Sequence, residues 1–164
     1  MKILIYRWKA YNYRDFIFAL QEMGHMIDIF FYDIKDFDGD ANFSLFMEEQ
    51  LRNKQYDIVM SINYFTVISN VCEKEKIPYI SWNCDSMLIS MHHQSIFNSC
   101  NYIFTFDFAE VKKFKAMGVN HIFYLPLAVE IKRLDSFMAK EKKKIEMNQQ
   151  HRAELAFVGN LYER

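Results

Sequence analysis

From Lys2 to Val129 the chain alternates two hydrophobic periods without a break, and that alternation leaves few folds open. Short, dense apolar runs stand at 2–8, 26–33, 57–63, 77–85, 102–107 and 121–129. Between them, over 12–25, 42–55, 66–76, 94–100 and 109–118, apolar residues recur at helical spacing. In the first of these segments Phe16, Ile17, Leu20 and Met23 share one face, and Gly24 stands where a helix C-cap belongs. Pro78 falls at the entry of the fourth run, where a missing N–H is tolerated. Strands apolar on both faces and separated by helices imply βαβ units and a parallel sheet covered on two sides. With right-handed crossovers the expectation is an α/β, Rossmann-like fold. Its sheet would be mostly parallel, of about six strands in the order 3-2-1-4-5-6, with helices on both faces.

The 164 residues fit one domain with a real core. An apolar share of 51% and an aromatic share of 17% exclude disorder. A formal charge of −1 leaves no footprint for nucleic acid or an anionic membrane. No apolar stretch approaches the roughly 18 residues a bilayer span requires. The amino-terminal run is broken by Arg7, Lys9 and Arg14 and lacks a small-residue cleavage site, so it reads as a strand and not a signal peptide. Cys72, Cys84 and Cys100, 12 and 16 residues apart, match no zinc pattern, and their odd number argues against a disulfide framework. Reduced thiols in a cytoplasmic protein without metal or cofactor are the expectation.

Function in an open parallel sheet sits at the carboxyl ends of the strands. After the first strand a dinucleotide site would need G-x-G-x-x-G, yet no glycine occurs between Met1 and Met23. That excludes the usual NAD or FAD mode. A phosphoacceptor receiver domain would need an acidic pair where Arg7 and Trp8 stand. Trp8 and Tyr11, beside these cations, either line a polar ligand cleft or simply pack. After the second strand come Asp33, Asp36, Asp38 and Asp40. Counted from Asp36, an EF-hand would need Gly at Ala41 and Glu at Met47, so this is a solvated loop whose acidic end caps the helix near Asn42.

The loop after the fourth strand, "SWNCDSMLISMHHQS", holds the densest polar and aromatic cluster: Trp82, Asn83, Asp85, Ser86, His92 and His93. An indole is a platform for a sugar or nucleobase, and a neighbouring carboxylate can take a hydroxyl proton. Asp85 is therefore a candidate general base or, alternatively, a cap. Adjacent histidines diverge on a helix, so His92 and His93 make a poor metal pair. Asp107 is placed to cap the helix from Ala109 and is a secondary site candidate. Residues 131–153 are basic and polar and read as a charged linker helix. The apolar run in "ELAFVGNLYER" meets Gly159 and Asn160, as a strand entering a tight loop does.

The string "YISWNCDSMLISMHHQSIFNSCNYIFTFDFAEVKKFKAMGVNHIFYLPLAVE", a charged spacer and "ELAFVGNLYER" together resemble the amino-terminal half of CgeB-like (spore maturation protein B-like) bacterial glycosyltransferases. The resemblance runs from about Lys2 to the end and rests on a W-x-x-D-S segment, "FTFD", "YLPLAV" and "FVGNLYER" in combination. It implies a GT-B architecture of two Rossmann-like domains, the first holding the acceptor and the second the nucleotide-sugar donor. Residues 1–130 would be the acceptor-side domain, 131–153 the linker, and 154–164 the first strand of a donor domain. Acceptor-binding candidates are Trp8, Tyr11, Trp82, Asn83, Ser86, His92 and Asp107, with Asp85 as base. Gly159 and Asn160 belong to a donor-side loop. Sugar transfer would need no metal, because helix N-termini and basic side chains of the second domain stabilise the leaving diphosphate. This chain by itself is then expected to be inactive. The alternative is a free-standing Rossmann-like binding module.

Overall fold

A computed structural model describes residues 1–147, in which strands and helices alternate as β1 (Lys2–Arg7), α1 (Tyr13–Glu22), β2 (Met26–Phe31), α2 (Ala41–Asn53), β3 (Ile58–Ile62) and α3 (Thr66–Glu75). They continue as β4 (Tyr79–Asn83), β5 (Asn101–Thr105), α4 (Phe108–Ala116), β6 (Ile122–Tyr124) and α5 (Ile131–Met147). All six strands pair in parallel in one sheet. The α/β, Rossmann-like class expected from the periodicity is the class observed.

The strand order is 2-1-3-4-5-6, which corrects the expected 3-2-1-4-5-6. Burial explains the difference. Every residue of β3 is buried, which suits a strand with neighbours on both sides and not an edge. β2 exposes Met26, Ile29 and Phe31 and carries Asp28, whose carboxylate accepts from Tyr56 Oη at 2.7 Å and Lys54 Nζ at 3.3 Å. A charge that needs water belongs on an edge strand.

Two apolar layers hold the sheet. Ile3, Ile5, Ile58, Met60 and Ile62 pack under Phe16, Ile17 and Leu20 of α1. On the other face Leu4, Tyr6, Val59, Tyr79, Ile103 and Ile122 pack against Phe43 and Met47 of α2, Val67 and Val71 of α3, and Val111 and Phe114 of α4. Within residues 1–128 helices thus lie on both faces, α1 on one and α2, α3 and α4 on the other.

Local chemistry ends the helices. After α1, Gly24 at φ +81° donates to Gln21 O and His25 to Leu20 O; after α4, Gly118 at φ +97° donates to Lys115 O and Val119 to Phe114 O. Both are Schellman closures, whose left-handed residue favours glycine. Asp40 caps α2 by accepting from Phe43 N at 2.9 Å, so the aspartate loop does end in a cap. The expected helix over 94–100 is instead two 3₁₀ turns, Ile89–His92 and Gln94–Phe97. There the His93 ring accepts from Ser95 N, and Asn101 Nδ2 donates to Ser95 O and Ile96 O. Side chains that bond nearby backbone compete with a regular helix. β6 stops at Tyr124 because Leu125 N makes the last ladder bond, to Thr105 O, and Pro126 has no N–H to offer.

Met1–Ala128 form one compact unit, and a second begins at Val129. In the second, Glu130 accepts from Lys132 N at the start of α5, and Ile131, Leu134, Phe137 and Met138 are exposed along it. Gly159 and Asn160 lie outside the described residues. No helix among the described residues is long and apolar enough to cross a membrane.

Candidate functional site

With the order 2-1-3, the chain reverses its direction of travel between β1 and β3, and the crevice of the sheet opens at their carboxyl ends. Three loops meet there. Trp8 follows β1, and its indole N–H donates to Ile62 O at 2.6 Å while its ring meets Phe65 edge-on at 5.8 Å. Asn63 follows β3 and is buried in a left-handed backbone at φ +64°, a region Asn tolerates better than most residues. Asp85 follows β4 and is exposed.

Asn63 fastens these ends together. Its Oδ1 accepts from Cys84 N at 2.8 Å and Asp85 N at 3.3 Å, and its Nδ2 donates to Asp85 Oδ2 at 2.6 Å. From below, the buried Tyr79 hydroxyl accepts from Phe65 N at 3.0 Å and lies 2.6 Å from Ser61 Oγ. Asn12, after Trp8, sends Nδ2 to Cys84 Sγ at 3.0 Å. Burial pushes the Cys84 thiol up, and the Asp85 charge adds to that, so this sulfur stays a protonated packing group.

The Asp85 carboxylate accepts from a side-chain amide and caps no helix; Leu88 precedes the next turn. Ser86 Oγ donates to Asp107 Oδ2 at 3.4 Å, and Met87 N donates to Glu110 Oε1 at 3.1 Å. Asp107 itself caps α4, accepting from Ala109 N at 2.8 Å and Glu110 N at 3.3 Å. Asp85, Ser86 and Asp107 therefore sit together at the ends of β4 and β5.

The other sequence candidates are dispersed. Trp82 lies in the sheet and stacks on Phe16 at 5.8 Å, its indole N–H without a partner among the described residues. Asn83 is buried and donates to Met91 Sδ at 2.9 Å. His92 rests on the Phe114 ring at 5.5 Å, against the α4 layer. Trp8 and Tyr11 line a cleft of about 330 Å³ beside the α1 N-terminus, with Arg7, Lys9, Arg14 and Phe31. Asp85 is not among its walls. Asn63, just after β3, and Asn12, just before α1, escaped the sequence reading, because no local pattern marks what an Asn side chain in a connection will bond. Among the described residues no three metal-ligating side chains converge.

No family model, curated protein or solved structure matches this chain.

Proposed function

We propose that the chain is the acceptor-side domain of a metal-independent glycosyltransferase, which moves a sugar from a nucleotide-sugar donor to a hydroxylated acceptor. One observation carries the reading. The Asp85 carboxylate stands at the carboxyl edge of the sheet with Oδ2 fixed by Asn63, while Oδ1 has no partner among the described residues. A positioned, solvent-facing carboxylate oxygen is what a general base needs. In the reaction it takes the acceptor hydroxyl proton as that oxygen bonds to the anomeric carbon. The bond from that carbon to the diphosphate breaks, and its electron pair leaves with the nucleoside diphosphate. The resemblance of "SWNCDS" and "FTFD" to CgeB-like enzymes supports the same assignment and puts the donor-gripping groups in a second domain.

The test is to assay the product of the whole reading frame with labelled nucleotide sugars in the presence of EDTA. Transfer should persist, and Asp85→Asn should lower kcat by roughly 10²–10⁴-fold. Residues 1–164 alone should turn over no donor. Loss of transfer in EDTA with rescue by manganese would sink the reading. A free-standing binding module is favoured by one observation: every wall of the 330 Å³ cleft comes from residues 7–31 of this chain. A reading frame that ends at Arg164, with ligand binding and no transfer, would establish that alternative.

A further inference from the structure

We infer that the cleft at the β1 loop binds a phosphoryl group carried on a sugar-sized ring. Three cations, Arg7, Lys9 and Arg14, line it together with the rings of Trp8, Tyr11 and Phe31. The chain as a whole carries a formal charge of −1, so this cluster is a local concentration of positive charge. None of the three cations forms an ion pair among the described residues. The guanidinium of Arg7 lies over the Tyr13 ring at 5.5 Å, which leaves its N–H groups for an anion. Lys9 acts on Asp33 only through space, and Asp33 is bonded to Lys35.

Independent features point the same way. Asn12 occupies the N-cap position of α1 but makes no cap bond, because its amide is turned to Cys84. The first-turn N–H groups of a helix lack intrahelical acceptors, so Tyr13 and Arg14, which line the cleft, bring backbone donors beside it, while Asp15 of the same turn is not among its walls. Tyr13 is 8% exposed, and its hydroxyl has no hydrogen-bond partner among the described residues. Tyr11 is fully exposed at the rim and Phe31 largely so, which offers apolar ring faces of the kind that stack on sugars. Trp8 is already anchored to Ile62 O and serves as wall. Guanidinium and ammonium groups around one anion, flanked by rings, suit a phosphorylated sugar better than a neutral one. That this ligand is the acceptor rests on the transferase reading; the binding itself does not.

The test is an amide NMR titration of the 164-residue chain with hexose 6-phosphate, unphosphorylated hexose and inorganic phosphate. Hexose 6-phosphate should shift signals of residues 7–14 saturably, with Kd on the order of 1 mM and weakening as salt rises. Arg7→Gln with Arg14→Gln should weaken it roughly tenfold or more, the two variants' melting temperatures serving as the check on folding. Tyr11→Ala should weaken hexose 6-phosphate and leave inorganic phosphate unchanged. Equal binding of free hexose, or unchanged affinity in the charge-deleted variant, would overturn the inference. So would binding seen only to phosphatidylglycerol vesicles, which would reassign the cations to a lipid headgroup. Cleft binding without transfer by the whole product leaves the site standing and removes the transferase reading. Transfer without cleft binding does the reverse.

Discussion

The amide of Asn63 and the carboxylate of Asp85 are joined at 2.6 Å across the ends of β3 and β4. The same amide holds the backbone of Cys84 and Asp85 through its oxygen. One side chain thus sets both the position of the loop and the direction of its carboxylate. It does so from a left-handed backbone at φ +64°, which few residues adopt without cost.

The first expected outcome separates these two roles of Asn63. Asn63→Gly keeps the left-handed conformation and deletes the side-chain bonds, and should cost about 1–3 kcal/mol. Asn63→Ala deletes the same bonds and adds left-handed strain, roughly 1–2 kcal/mol more. Urea denaturation of both variants checks the order. A glycine variant as stable as the native chain would mean the bonds contribute nothing.

Asp107 and Asp85 should respond differently to truncation, because one caps a helix and the other does not. Asp107→Ala should lose about 1 kcal/mol and Asp107→Asn only a few tenths. Asp85→Ala removes a part-buried hydrogen bond and leaves the amide of the buried Asn63 short of an acceptor, at a cost of about 1–3 kcal/mol. In melting temperature the Asp107→Ala loss corresponds to about 2–4 °C. An Asp85→Ala variant as stable as the native chain would mean that water replaces the carboxylate at the Asn63 amide.

The alternation that gave the α/β class was readable because strand and helix periods are local properties of the chain. Strand order was misread as 3-2-1-4-5-6, although a signal was present: Asp28 in "MIDIFF" marks an edge, and "IVMSI", with no charge and only Ser61 polar, a centre. Trp8, Tyr11 and Asp85 could be placed beyond the ends of β1 and β4 because strand boundaries are local properties of the chain. Asn63 was missed because its partner lies 22 residues away. That contact exists only once β3 and β4 pair with Ile62 opposite Trp82, a register no local pattern states. Asn83 and Trp82 had the right composition, but strand alternation turned them onto the two packed faces.

Tyr79→Phe should loosen the floor of the site. The Tyr79 ring is fully buried, and its hydroxyl accepts from Phe65 N and contacts Ser61 Oγ. Removing the oxygen leaves the buried Phe65 N–H without its acceptor, while Ser61 Oγ keeps its bond to Asn63 O, at a cost of about 1–3 kcal/mol. Amide hydrogen exchange should quicken at Phe65 more than at Val71, which lies further along α3 in the same core. Uniform quickening across both would argue for a general core effect.

Acid should weaken the fold through Asp40 and Glu73. Backbone N–H groups of Lys35 and Phe43 hold the Asp40 carboxyl below its ordinary range, and that of Cys100 does the same for Glu73. A depressed folded value means stability that is complete above the unfolded value, near 4, and is lost as pH falls through the folded one. Denaturation midpoints should be flat from pH 7 to 5 and drop below about pH 4. Asp40→Asn keeps a cap and should shallow that drop; an unchanged acid slope would remove Asp40 from the account.

Asn63→Asp makes the geometry of the pair visible as a pH dependence. The substitution puts a second carboxylate where the amide now meets Asp85 Oδ2 at 2.6 Å. One new oxygen can still accept from Cys84 N, so the loop has a way to close. The other faces a like charge, and two carboxylates at that distance do not both ionise, so the pair holds a proton with an apparent value above that of either group unfolded. An acid whose folded value is raised binds more protons folded than unfolded, so stability falls as pH rises through the window between the two values. The deficit of Asn63→Asp against the native chain should therefore be largest at pH 7 and shrink toward pH 5. Adding Asp85→Asn should abolish the pH dependence, since the second charge is gone. A double-mutant cycle read by urea denaturation at both pH values isolates the coupling. A deficit that stays constant with pH and equals that of Asn63→Gly would mean the Asp85 carboxylate does not face residue 63.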